Sequence, residues 1–186
     1  MLHFIPNIIT FLRLLLTVPV SISIYNGNEG LALILFIFAG LSDGFDGYLA
    51  RKFRWESKLG KILDPLADKC LIVATLLALA FAQLLPIWLA ALLIIRDGIA
   101  MTGAMLYLTV FEGKNAESNR WGKHYTGWTI ALFILVLLKQ TFQSQPYLIE
   151  LLYQISIVGV LLFTGLSIFF YLKDQGKEVF DKLFID

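Results

Sequence analysis

Long apolar stretches, broken at intervals by short polar ones, set the pattern of this chain. Six of them approach the ~20 mainly apolar residues that a membrane-spanning helix needs, at 7–26, 30–51, 61–83, 86–111, 122–142 and 148–173. Nowhere does the pattern read as a strand, so the expected fold is all-α. The breaks carry turn chemistry: Asn26, Gly27 and Asn28 part the first two stretches, Pro86 opens the fourth, and Gln143 to Pro146 separate the last two. Connections are short, and internal repeats and low-complexity tracts are absent. This predicts one membrane domain over 1–186, a polytopic bundle of six transmembrane helices without a separate soluble part.

Composition agrees. With 58% hydrophobic and 16% charged residues and a mean hydropathy of +0.76, the chain is more apolar than an ordinary soluble domain. Its net charge of +1, with no Lys/Arg run interleaved with aromatics, argues against nucleic acid as a partner. Cys70 has no second cysteine for a disulfide or a zinc site, which leaves core packing as its role. The opening MLHFIPNIITFLRLLLTVPV lacks a basic start and a small-residue cleavage site, and reads as a retained first helix. Cations mark one side of the expected bundle. Arg51, Lys52, Arg54, Lys58 and Lys61 fill one connection, Lys114, Arg120 and Lys123 another, and Lys173, Lys177 and Lys182 the tail. The alternate connections near Asn26 and Gln83 have no Lys or Arg, and the one near Gln143 has only Lys139 at its edge. Both termini and both basic loops are therefore expected in the cytoplasm. The tail KDQGKEVFDKLFID alternates charged and apolar residues, as a short interfacial helix would.

Against this background the stretch SDGFDGYLARKFRWESKLGKILDPLADK, Ser42 to Lys69, stands out for Asp43, Asp46, Asp64 and Asp68. Helical spacing of three and four puts each pair on one face. Acids near a bilayer are expensive and need positive charge. Ion pairs with Arg51, Lys52, Lys58, Lys61 or Lys69 would suit one or two of them. They do not explain why Gly47 and Ala50 follow Asp43 and Asp46 on nearly the same face, or why Gly60 stands four residues before Asp64. Two hard divalent ions handling a phosphate would explain both, since carboxylates commonly bridge such ions and small residues let a bulky ligand approach.

The pattern Asp43-x-x-Asp46-Gly47-x-x-Ala50-Arg51, eight residues, Gly60-x-x-x-Asp64-x-x-x-Asp68 resembles the signature of the CDP-alcohol phosphotransferases, with every fixed position present. The resemblance implies a homodimeric integral membrane enzyme that displaces CMP from a CDP-linked lipid, CDP-diacylglycerol, with an alcohol. It also implies that Asp43, Asp46 and Asp64 hold two Mg²⁺ or Mn²⁺ ions. Asp68 would contribute to the metal site and act as general base. Asp46, Gly47, Ala50, Arg51 and Gly60 would surround the CDP moiety. The chemistry needs no covalent nucleophile, because metals neutralise the diphosphate while a carboxylate takes the proton of the attacking hydroxyl.

The segment IPNIITFLRLLL resembles the first helix of the phosphatidylglycerophosphate synthase and cardiolipin synthase branch. Asn7 and Thr10, three apart on its cytoplasmic turn, are candidates for the nucleotide or its phosphates, or for capping the helix. Arg13, a turn deeper, is a candidate for the acceptor or a phosphate, with snorkelling to the headgroups as the alternative. Arg96, Arg120 and Lys123 are candidates for an acidic acceptor headgroup. Arg96 and Asp97 are adjacent, so separate partners are expected for them. His3 and His124, the latter in a loop-like context, read as interfacial, and Trp55, Trp88, Trp121 and Trp128 as interfacial anchors. Two acceptors compete, glycerol-3-phosphate and phosphatidylglycerol. The block IIRDGIAMTGA has Asp97 where the former pattern has Glu and no Arg between Arg96 and Arg120, and looks at least as much like the cardiolipin synthases. Glycerol-3-phosphate is placed first as the more widespread acceptor on this scaffold, in a bacterial inner membrane with the site facing the cytoplasm. A membrane transporter is the reading from another class. It would also carry acids and an Arg within helices, but would favour inverted repeats, and none is visible.

Overall fold

Over residues 5–53, 60–110, 120–142, 147–171 and 173, which the computed structural model describes, the chain forms six α-helices and no strand. They are α1 Ile5–Tyr25, α2 Glu29–Phe53, α3 Gly60–Phe81, α4 Ile87–Val110, α5 Arg120–Thr141 and α6 Tyr147–Tyr171. Every boundary lies within two residues of the sequence expectation. Turn chemistry explains the accuracy. At the end of α1, Gly27 takes φ +72° and the Asn28 amide donates to the Ser23 carbonyl at 2.9 Å, the pattern of a left-handed glycine closing a helix. After α3 the same device recurs with Gln83 at φ +59° and the Leu84 amide donating to the Leu79 carbonyl at 2.9 Å. Pro86 then precedes α4. Beyond Lys173, the tail expected as an interfacial helix lies outside the described residues, as do the basic residues Arg54, Lys58 and Lys114.

The chain divides into two compact units. In the first, residues 1–87 with 140–143, α1 packs against both α2 and α3. Its inward stripe follows the helical repeat: Thr10, Arg13, Thr17, Val20 and Ile24 are buried. Small Ala32 and Ala39 on α2 and Ala67 on α3 are buried as well, letting backbones come close. In the second unit, residues 88–139 with 144–186, Leu89 and Leu93 of α4 and Leu132, Phe133, Val136 and Leu137 of α5 are buried. So are Ser156, Val160, Thr164 and Ser167 of α6.

Polarity is inverted on two helices. On α1 the buried face carries Thr10, Arg13, Thr17 and Ser23, while Ile8, Phe11, Leu12, Leu15, Val18 and Ile22 are exposed. On α6 the buried stripe holds two serines and a threonine, while Leu148, Leu152, Ile155, Val158, Leu162 and Phe169 are exposed. A helix of a water-soluble domain has the opposite arrangement. These same helices, over 8–25 and 147–171, are long and apolar enough to cross a membrane, with mean hydropathies of 1.9 and 2.0. The apolar part of α2 is shorter, 29–42.

Candidate functional site

The acidic pattern falls on continuous helix. Asp43 and Asp46 lie in the C-terminal half of α2, and Asp64 and Asp68 in the first turns of α3. Spacings of three and four therefore put each pair on a common helical face. Both of the helices that carry them pack against α1. The side chains of Asn7, Asp43, Asp46, Ala50, Arg51 and Asp64, and the surroundings of Gly47 and Gly60, lie outside the described residues.

Asp68 is described, and its carboxylate accepts from Nη1 of Arg13 in an ion pair. Each residue is the ninth of its helix, so both sit ~12 Å from the helix start at 1.5 Å per residue. The Arg13 side chain is 1% exposed and that of Asp68 44%. The snorkelling alternative for Arg13 is thus corrected: a carboxylate of α3 meets the guanidinium, and the side chain is buried. Thr10, one turn earlier, is also buried at 1% exposure. Hydroxyls on this face bond along their own helix, Thr17 Oγ1 donating to the Arg13 carbonyl at 3.2 Å and Ser21 Oγ to the Thr17 carbonyl at 2.9 Å. For a metal, the four carboxylates supply only hard oxygen donors, a set that suits Mg²⁺ or Mn²⁺. Among the described residues no three potential ligands cluster, as expected when three of the four carboxylates fall outside that set.

In the second unit the structure gathers a polar cluster of which only Arg96 and Asp97 stood out in the sequence. Arg96 and Asp97 of α4 are 5% and 4% exposed. Arg96 Nη1 donates to Asp97 Oδ1 at 2.8 Å, and Nη2 donates to Ser167 Oγ of α6. The guanidinium carbon lies 3.8 Å from the centroid of the fully buried Tyr125 ring of α5, a cation–π contact. The expectation of separate partners for Arg96 and Asp97 is corrected here. Neighbours on a helix diverge at Cβ, but the long Arg side chain folds back, and burial rewards the nearest counter-charge. Tyr125 and Ser167 were missed. The signal was the run of Ser156, Thr164 and Ser167 along one side of an otherwise apolar helix.

Arg120 and Lys123 are exposed on the first turn of α5. Between them, a Cβ on Gly122 would stand 3.5 Å from Arg96 Nη2 and 4.0 Å from Ser167 Oγ. His124 belongs to helix, not loop, and its ring lies 5.4 Å from that of Phe163. Trp121 stacks on Phe170 at 5.1 Å and Trp128 on Phe163 at 6.2 Å, so two of the expected interfacial anchors pack on α6. Trp88 is exposed, Cys70 is half-buried on α3, and Trp55 and His3 lie outside the described residues.

Comparison with known proteins matches residues 3–169 to the CDP-alcohol phosphatidyltransferase family. The chain belongs to that family. It is similar, at 41% identity over 105 residues, to a cardiolipin synthase (CMP-forming)/mitochondrial hydrolase fusion protein of Schizosaccharomyces pombe, covering 56% of this chain and 17% of that protein. Similarity to a cardiolipin synthase (CMP-forming) of Streptomyces coelicolor is 36% over 104 residues, 52% of this chain and 48% of the other. A CDP-diacylglycerol–glycerol-3-phosphate 3-phosphatidyltransferase of Bacillus subtilis is 41% identical over 105 residues, 56% of this chain and 53% of the other. The chain thus spans about half the length, or less, of these curated relatives.

Proposed function

We propose that this chain is a CDP-diacylglycerol-dependent phosphatidyltransferase that passes a phosphatidyl group to glycerol-3-phosphate, releasing CMP and giving phosphatidylglycerophosphate. The observation that carries the reading is the complete eight-position pattern, four of its residues aspartates, on α2 and α3, two helices that both pack against α1. Inverted polarity on α1 and α6 supports a place in a bilayer. We infer a multi-pass, homodimeric protein of the bacterial inner membrane. Its one domain over 1–186 has six transmembrane helices, with both termini and the site on the cytoplasmic side.

Asp43, Asp46, Asp64 and Asp68 would hold two Mg²⁺ or Mn²⁺ ions, which when bound neutralise the diphosphate and the departing phosphate of CMP. The acceptor's hydroxyl oxygen attacks the phosphorus attached to diacylglycerol, the P–O bond to CMP breaks, and the hydroxyl proton passes to Asp68. Arg13 holds one side of that carboxylate, while its 44% exposure leaves room for a hydroxyl to approach. Asn7, Thr10, Gly47, Ala50, Arg51 and Gly60 form the CDP-lipid contact. Of the cations proposed for the acceptor, Arg13 and Arg96 are engaged with carboxylates. Exposed Arg120 and Lys123 therefore take its phosphate.

A second acceptor, phosphatidylglycerol, is favoured by the relatives named cardiolipin synthase and by Asp97 in the IIRDG block. The test is incubation of purified protein with CDP-diacylglycerol, Mg²⁺ and each acceptor in turn, read by CMP release and lipid mass spectrometry. Phosphatidylglycerophosphate is the expected product. Cardiolipin would move the assignment to the second acceptor, and no CMP with either would overturn the reaction and return the transporter reading.

A further inference from the structure

The polar cluster of the second unit, Arg96, Asp97, Tyr125 and Ser167, has no role in the proposed phosphatidyl transfer. A buried guanidinium is expensive unless its charge and donors are met. This one is met from three helices: Asp97 on its own α4 at 2.8 Å, the Tyr125 face on α5 at 3.8 Å, and the Ser167 hydroxyl on α6. The α5 backbone comes in directly over it. The missing side chain of Gly122 leaves the Nη2 end of Arg96 beside the helix, where a Cβ would stand 3.5 Å away. Arg120 and Lys123, the exposed cations, flank that glycine. The first turn of any α-helix makes no internal hydrogen bonds through its leading amides, so its position depends on side-chain contacts more than that of a mid-helix turn does. Two further contacts steady this end of α5. Trp121 stacks on Phe170 of α6, and within α5 Thr126 Oγ1 donates to the Gly122 carbonyl at 3.1 Å. The cavity beside the cluster, lined by Arg96, Ile99, Ala100, Ser167, Ile168 and Tyr171, measures about 10 Å³, room for a single water. A phosphorylated acceptor does not fit there.

We propose that Arg96, Asp97, Tyr125 and Ser167 form a three-helix clamp that positions the first turn of α5, so that Arg96 acts on the acceptor through Lys123 and Arg120 without touching it. The inference rests on the phosphatidyltransferase reading for its kinetic arm, and on the geometry alone for its structural arm.

Ser167→Ala removes one donor–acceptor pair with little change of volume, and Tyr125→Leu removes the ring, whereas Tyr125→Phe keeps it. Full-length protein in detergent micelles is assayed for the KM of acceptor and of CDP-diacylglycerol, and for amide hydrogen exchange across 121–129. Ser167→Ala and Tyr125→Leu should each raise the acceptor KM roughly tenfold, the scale of one charge-assisted hydrogen bond, leave the CDP-diacylglycerol KM unchanged, and speed exchange in 121–129 with 150–160 unaffected. Tyr125→Phe should restore both readouts. Unchanged exchange with a raised acceptor KM would mean that Arg96 meets the acceptor directly, overturning the clamp. Unchanged values on both axes would overturn it too. If the native protein releases no CMP, the reaction reading fails, and the exchange data still decide the clamp.

Discussion

Gly159 faces the indole of Trp128 so closely that a methyl group on it would lie 2.5, 2.6 and 2.9 Å from three ring atoms. The nearest is about 0.9 Å inside the 3.4 Å at which ordinary contact begins. The ring has Phe163 stacked beside it at 6.2 Å, so it cannot yield without disturbing a second aromatic. Two effects of Gly159→Ala then oppose each other. Alanine favours a helix over glycine by ~1 kcal/mol, while overpacking costs ~1–3 kcal/mol. The net expectation is a loss of up to ~2 kcal/mol in the native background and a gain of ~1 kcal/mol once Trp128→Ala has emptied the space. The sign reverses with the partner. A four-variant cycle on unfolding in detergent micelles should therefore give a coupling of ~1–3 kcal/mol, well beyond the ~0.3–0.5 kcal/mol of independent sites. Equal effects of Gly159→Ala in both backgrounds would refute the close approach of α5 to α6.

Excess EDTA should abolish CMP release, because Asp43, Asp46 and Asp64 would repel one another and leave the diphosphate without positive charge; full activity in EDTA would remove the metal site. Asp68→Asn should slow turnover ~10²–10⁴-fold at saturating substrate, the usual share of a general base, and near-native turnover would reassign Asp68 to its ion pair with Arg13. Arg120→Gln with Lys123→Gln should raise the acceptor KM at least ten- to a hundredfold, on the basis of ~1.5–3 kcal/mol per charge-assisted contact, with CDP-diacylglycerol unaffected; a KM unchanged for both substrates would clear α5 of acceptor binding. Gln83→Gly should stabilise the protein by roughly 0.5–1 kcal/mol, since a residue at φ +59° suits glycine better than a side chain. A lower melting temperature would contradict that.

What the sequence revealed and what it hid divide along physical lines. Helix ends were legible because they depend on local chemistry: Gly27, Pro86 and the polar run before Tyr147 interrupt any helix whatever surrounds it. The acidic pattern was legible for the same reason, as its spacing is a property of one helix at a time. Side-chain partnerships were not. The Arg13–Asp68 pair joins residues 55 apart, and nothing near Arg13 in sequence names its partner. Arg96 and Asp97 were misjudged because the spacing rule describes where side chains begin, and an arginine ends far from there. Ser167 was hidden by being ordinary, a hydroxyl among apolar residues whose significance comes from the guanidinium across from it.

The distance along the chain between Arg13 and Asp68 also has a meaning in time. Synthesis proceeds at about 5–20 residues per second, so the 55 residues between them take roughly 3–11 s to appear. Throughout that interval α1 carries a guanidinium whose counter-charge has not yet been made, beside an apolar face already suited to lipid. Before α3 arrives, α1 has only α2 of its two packing partners. The Arg13–Asp68 contact can therefore form only after most of the first unit has been made, and a chain stopped between α2 and α3 would hold α1 without it.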